Sequence, residues 1–243
     1  MSESTATGRS EVFDYRALRL SVGVIALTLP IVLPAGQLHF SFAEIKPSIS
    51  AYYHTGMRDV FVGSLFAIAM FLLAYNGKET RDAVASRVAC LAAVGVALFP
   101  TINPDSDFLP TDIEKLKSTI HSVSAGVLFG ILAIFCLVFF RARLALQAPL
   151  TPKQQRRRRV YAVCGWVIVG CIVGLAVSYA LRDWPFRGWR EASKIVFFLE
   201  QIALVAFAVS WFTAGKWAAL PFLVDPQDAY HFRRGDTPAR IPD

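Results

Sequence analysis

Six long apolar runs constrain this chain more than anything else in it: residues 17–36, 59–76, 83–100, 119–140, 160–181 and 195–217. At ~1.5 Å of rise per residue, each is long enough to cross or nearly cross a hydrocarbon core of about 30 Å. The pattern predicts an all-α, polytopic integral membrane protein, a bundle of six transmembrane helices. With 55% apolar residues and a mean hydropathy of +0.46, the chain carries more apolar material than one soluble core of 243 residues needs. Little is left for a separate soluble domain. The division expected is a tail over 1–15, a six-helix domain over 16–220 and a second tail over 221–243. Both tails mix charge with Pro, Gly, Ser or Thr and lack an apolar period, so disorder is expected there.

Pro34 and Ala35 loosely suggest a signal-peptide cleavage site. The run before them is longer than a usual signal core, and Arg9, Arg16 and Arg19 are balanced by Glu3, Glu11 and Asp14, so a retained helix is the better reading. Basic residues then set the orientation. Alternating the connections between two sides places 17 of the 25 Lys and Arg, Arg87 and Lys216 included, with the two tails, the 77–82 connection and the 141–159 connection, the last of which has no acid. By the positive-inside rule both termini are cytoplasmic, in a cell membrane and more specifically a bacterial inner membrane. The net charge of +7 is thereby explained as topology, with anionic lipid headgroups as a sharper use of the same loop. Nothing resembling a nucleic-acid module accompanies it.

Several chemistries lack their motifs. There is no Gly-rich phosphate loop, no Gly-x-Ser-x-Gly elbow and no Cys-x-x-Cys pair, and Cys90, Cys136, Cys164 and Cys171 all fall within predicted helices as small hydrophobes. No cofactor is predicted. Small residues at four-residue spacing suggest how the helices associate: Ala85, Ala89, Ala93 and Ala97 on the third, Ser118, Ser122, Gly126 and Gly130 on the fourth, Gly170, Gly174 and Ser178 on the fifth. Such faces could also join copies in a homo-oligomer. Pro30 and Pro34 should kink or end the first helix. Tyr52, Tyr53, Trp184 and Trp189, and at the other boundary Phe139, Phe140, Tyr161 and Trp217, suit two interfacial belts.

The remaining polar groups gather on the outer side. Glu200 stands about one and a half turns inside the sixth helix, where a carboxylate facing lipid is expensive, so it should face the bundle beside Arg58, His121 or Arg182. His54 and His121 lie at the same level. Asp59 can cap the second helix, and Asp59, Gly63, Ala67 and Met70 share one face, which would then point into the bundle. Arg58 offers a planar donor fork suited to a phosphate. The candidate ligand-binding residues are therefore Arg58, Asp59, His54, His121, Glu200 and Arg182, lining an outward pocket for a membrane lipid or another amphiphile.

Pro47-x-Ile49-Ser50 in the first outer loop, ahead of a Gly-containing second helix in a six-helix chain, resembles the damage-regulated autophagy modulator type of membrane protein and its bacterial relatives of unassigned function. The runs from Val96 to Thr101, from His121 to Ala125 and from Phe197 to Glu200 also resemble bacterial membrane families of unassigned function. Ala51 departs from that pattern, in which an acid follows the Ile-Ser pair. The resemblance implies a lipid-associated role and transfers no catalytic residue.

Two other classes stay open. In a zinc-dependent membrane lipid hydrolase His54, Asp59, His121 and Glu200 would supply the ligands and the metal would activate a water, although His-x-x-x-His spacing is absent. An oligomeric channel or pore-forming effector would need a polar stripe along a helix, where this chain offers small residues instead.

Overall fold

The first helix runs through both of its prolines. The computed structural model describes residues 15–41, 44–75, 80–146, 149–180, 193–217 and 219–224. Over these the order is α1 (Tyr15–Ser41), a 3-10 turn (Ser50–His54), α2 (Arg58–Ala74), α3 (Thr80–Leu98), α4 (Asp112–Ile134), a π turn (Phe135–Phe139), α5 (Phe140–Ala145), α6 (Pro152–Ala180) and α7 (Ile195–Ala214). Within α1 the Pro34 ring has no N–H to give the carbonyl of Pro30. The side-chain amide of Gln201 on α7 supplies that donor at 3.1 Å, so the Pro30 carbonyl is not left orphaned where the helix passes Pro34.

The described elements are all helical, and four stretches are long and apolar enough to cross a membrane: Arg16–His39, Asp112–Ala145, Pro152–Ala180 and Ile195–Ala214. α2 is 17 residues long, and α3 carries Arg81, Asp82 and Arg87. Two helix starts are fixed by reciprocal caps. Thr111 Oγ1 accepts from Glu114 N while Glu114 Oε2 accepts from Thr111 N, and Thr151 and Gln154 make the same exchange ahead of α6.

The helices close a ring. α1 packs on α2, α2 on α3, α3 on α4, α4 on α6, α6 on α7, and α7 returns to α1. On α3 small residues face inward, and several large apolar side chains of the ring face outward. Ala89, Ala93 and Ala97 are buried on α3, whereas Leu91, Met70, Val123 and Trp166 are more than three-fifths exposed. Large apolar side chains exposed in such numbers suit an apolar solvent around the ring. The alanine face of α3 is thus a packing face as expected. The row expected on the fourth helix is not, since Ser122 and Gly126 are exposed with open space beside Gly126; on α6 Gly170 also faces open space, but Gly174 packs against α7, an added Cβ there standing 3.0 Å from Leu199 Cδ1. Still closer approach occurs at Gly95, where an added Cβ would stand 2.4 Å from Ser124 Oγ, and at Gly165, 2.5 Å from Leu137 Cγ.

One end of the ring is basic and filled. The π turn, closed by Phe140 N donating to Phe135 O, lets two aromatics five residues apart both point inward. Phe135 and Phe140 pack against Trp211 at 5.4 and 5.1 Å between ring centroids. Phe140 and Tyr161 are therefore interior groups, as Tyr52 is at the other end, and do not belong to interfacial belts. Trp184 and Trp189 lie outside the described residues. Above the aromatics, Arg19 Nη2 and Arg143 Nη1 both donate to the Tyr75 hydroxyl, at 2.9 and 2.7 Å, and Arg143 pairs with the buried Asp82. Of the expected tails, residues 1–14 and 225–243 lie outside the described residues; Leu223 and Val224 are buried, and Val224 O accepts from Lys153 Nζ at 3.1 Å.

Candidate functional site

The opposite end of the ring is closed by the chain itself. Between α1 and α2 the segment from Lys46 to Met57 turns back into the ring, burying Ile49, Ser50, Ala51 and Tyr52. Local bonds shape it: Ser48 Oγ accepts from Ala51 N, and Thr55 Oγ1 donates to Tyr52 O and accepts from Met57 N. Burial raises the phenol of Tyr52 above its ordinary value, against the opposing hydrogen bond from Lys46 N. The segment also serves α7, because Pro47 O accepts from Phe197 N in the first turn, where a helix leaves its amides unpaired.

Glu200 holds this segment down. Its Oε2 accepts from Ile49 N at 2.5 Å and its Oε1 from Ser50 Oγ at 3.1 Å. His121 completes the row, with Nε2 3.0 Å from Ser50 Oγ and Nδ1 2.7 Å from the carbonyl of Phe99. The carbonyl can only accept, so Nδ1 carries a proton. Two contacts then remain, between His121 Nε2, Ser50 Oγ and Glu200 Oε1, and the serine has one hydrogen to fill them. A second proton completes both bonds. It sits either on His121, facing a carboxylate, or on Glu200, facing a neutral imidazole; in either case the trio carries no net charge. Neutrality is what an apolar setting demands of such a group.

Beneath the trio is a cavity of about 50 Å³. Ile49, Ser50 and Glu200 form its polar end, and Leu29, Phe61, Leu128 and Phe207 are among the apolar side chains around it. It draws on α1, α2, α3, α4 and α7, so it occupies the middle of the ring.

Only part of the expected site is assembled. His121 and Glu200 meet, through Ser50. His54 is engaged elsewhere, its Nε2 2.7 Å from Thr101 O. Arg58 is exposed, donates to the Tyr53 hydroxyl at 2.9 Å and stacks 4.5 Å over that ring, so it does not reach Glu200. Asp59 is exposed in the first turn of α2, whose N-cap is Met57 and not Asp59. The face it shares with Gly63 and Met70 turns away from the ring, because Phe61, Leu65 and Ile68 form the buried face of that helix. Arg182 lies outside the described residues. The zinc ligand set is likewise not gathered: His54 and His121 are bonded to different carbonyls, and among the described residues no three His, Cys, Asp or Glu side chains converge. Sequence reasoning placed Ser50 in an outer loop. The short apolar stretch Ile49, Ala51 and Tyr52 was the available sign that this loop re-enters the ring.

Comparison with known proteins finds no family model, no curated protein and no solved structure that matches the chain.

Proposed function

We propose that this chain is a six-crossing membrane protein, with both termini cytoplasmic in a bacterial inner membrane, that binds a lipid or similar amphiphile inside its helix ring. The observation that carries the reading is the apolar cavity ending on Glu200 and Ser50: an apolar enclosure with a few convergent polar groups at one end is the ordinary form of a small-molecule site. The polar end of the ligand would meet Glu200 and Ser50, with His121 behind the serine, and its apolar part would enter among Leu29, Phe61 and Leu128. At about 50 Å³ the cavity corresponds to a closed state, so admission requires the Lys46–Met57 segment to lift. This agrees in kind with the lipid-associated role that the Pro47-x-Ile49-Ser50 resemblance implies.

A diazirine-bearing single-chain amphiphile tests the reading in reconstituted protein. Photolabelling is expected at Leu128 and Phe129, and Leu65→Trp, which fills the cavity, should suppress it. Labels confined to outward residues such as Leu91 and Val123 would refute interior binding.

A second reading is supported by ring closure around that cavity within one chain. In a channel the same segment would be the plug, and removing its anchor with Glu200→Ala should make reconstituted vesicles leak ions. Tight vesicles for this variant would refute conduction.

A further inference from the structure

At the basic end a second cavity, of about 330 Å³, opens between α5 and α6. Arg141 from α5 and Arg158 and Arg159 from α6 line it with Gln155, Leu150 and Ala162, and no acid is among them. The Nε of Arg141 is buried and makes no hydrogen bond. The setting is unfavourable for so much positive charge. Lys153 and the run from Arg156 to Arg159 occupy the first two turns of α6, at the positive end of the helix dipole, and the first turn contains no acid. Three guanidinium groups converging on one cleft under those conditions are stabilised by an anion in it.

The surroundings indicate what the anion is attached to. One turn from Arg141 toward the middle of the ring is Val138, and two turns away is Ile134; both are exposed. On α6 the positions one and two turns from Arg159 are Val163 and Trp166, also exposed. The two helices touch between these rows, where Gly165 lies against Leu137. Beyond the arginines both helices thus present exposed apolar side chains, a surface that a free phosphate would leave uncovered. We propose that this cleft is a binding site for the phosphate of an anionic phospholipid, whose acyl chains lie along Ile134, Val138, Val163 and Trp166. Basic pockets between helices on the cytoplasmic side bind such headgroups in other membrane proteins. The site is at the opposite end of the ring from Glu200 and stands independently of the central cavity.

The test uses the full chain purified in a neutral detergent, with phosphatidylglycerol and phosphatidylcholine offered in mixed micelles and bound lipid read by native mass spectrometry. Phosphatidylglycerol should be retained in preference to phosphatidylcholine. Arg158→Gln and Arg159→Gln, both at exposed positions, should each weaken its retention roughly fivefold, the factor for one basic residue at a membrane surface. Arg156→Gln changes the same net charge on the same run but is not part of the cleft, and it should leave retention unchanged. The proposal is overturned if Arg156→Gln weakens binding as much as Arg158→Gln, or if the two lipids are retained equally. Displacement of phosphatidylglycerol by inorganic phosphate at equal concentration would also overturn it, in favour of a free anion.

Discussion

Glu200 accepts from the backbone of Ile49 at 2.5 Å, so a carboxylate on α7 fixes the position of a segment 151 residues earlier in the chain. Two replacements separate its charge from its hydrogen bonds. Glu200→Ala strands Ile49 N–H and Ser50, and should lower stability by ~2–4 kcal/mol. Glu200→Gln keeps an acceptor for Ile49 and gives Ser50 a donor, freeing the serine hydrogen for a neutral His121. It should cost less than about 1 kcal/mol. Thermal unfolding in detergent distinguishes them, and a glutamine variant as damaged as the alanine one would contradict a trio without net charge.

The helix contacts can be checked by glycine replacement. Gly95→Ala and Gly165→Ala place a methyl 2.4 Å from Ser124 Oγ and 2.5 Å from Leu137 Cγ, and each should destabilise by ~1–3 kcal/mol. Gly126→Ala meets nothing and should be neutral or stabilising by up to about 1 kcal/mol. Equal losses at all three would mean that the exposed row on α4 is a packed face.

Pro34 and Gln201 should be energetically coupled. Gln201→Met removes the donor to Pro30 O and should cost about 1 kcal/mol in the native background. In a Pro34→Ala background the helix provides its own N–H to that carbonyl, so the same change should cost less. A double-mutant cycle by thermal unfolding measures the difference.

At the basic end, Asp82→Ala leaves Arg143 with the hydroxyl of Tyr75 as its remaining named partner. Removing one member of a buried pair is expected to cost about 3–5 kcal/mol, reduced here toward ~2 because the Arg143 side chain is 25% exposed. The double variant Asp82→Ala with Arg143→Met should regain part of that loss, read as a rise in melting temperature over the single variant.

The helices were legible in the sequence because their apolar runs are long: α1, α2, α3 and α7 begin within three residues of their runs, whereas α4 and α6 begin seven and eight residues earlier, in polar first turns the runs do not include. The site was legible only through Glu200 and His121, residues whose presence inside an apolar run is itself anomalous. What periodicity could not give was rotation. Asp59 and Gly63 share a face by spacing, but which way that face turns is decided by Phe61, Leu65 and Ile68, whose bulk seeks the ring interior. The arginines were legible as topology, whereas the wide turn at Phe135 that buries Phe140 beside Trp211 has no single-residue signal. Ser50 escaped notice because a re-entrant loop this short lacks a period to detect.

Closure of the ring by α7 also sets an order of events during synthesis. Helices α1 to α6 can each pack on the one made just before, so most of the wall forms as it emerges. The Ile49 amide has its side-chain acceptor only on the last helix. At ~5–20 residues per second, the ribosome delivers Glu200 roughly 8–30 s after Ile49 has left it. Throughout that interval the nascent ring has an open seam between α1 and α6, and the loop beside it has its partners on α4 and the 99–111 connection but not its bonds to α7. The last helix thus both seals the wall and latches the loop, and a chain truncated before Ile195 would have neither.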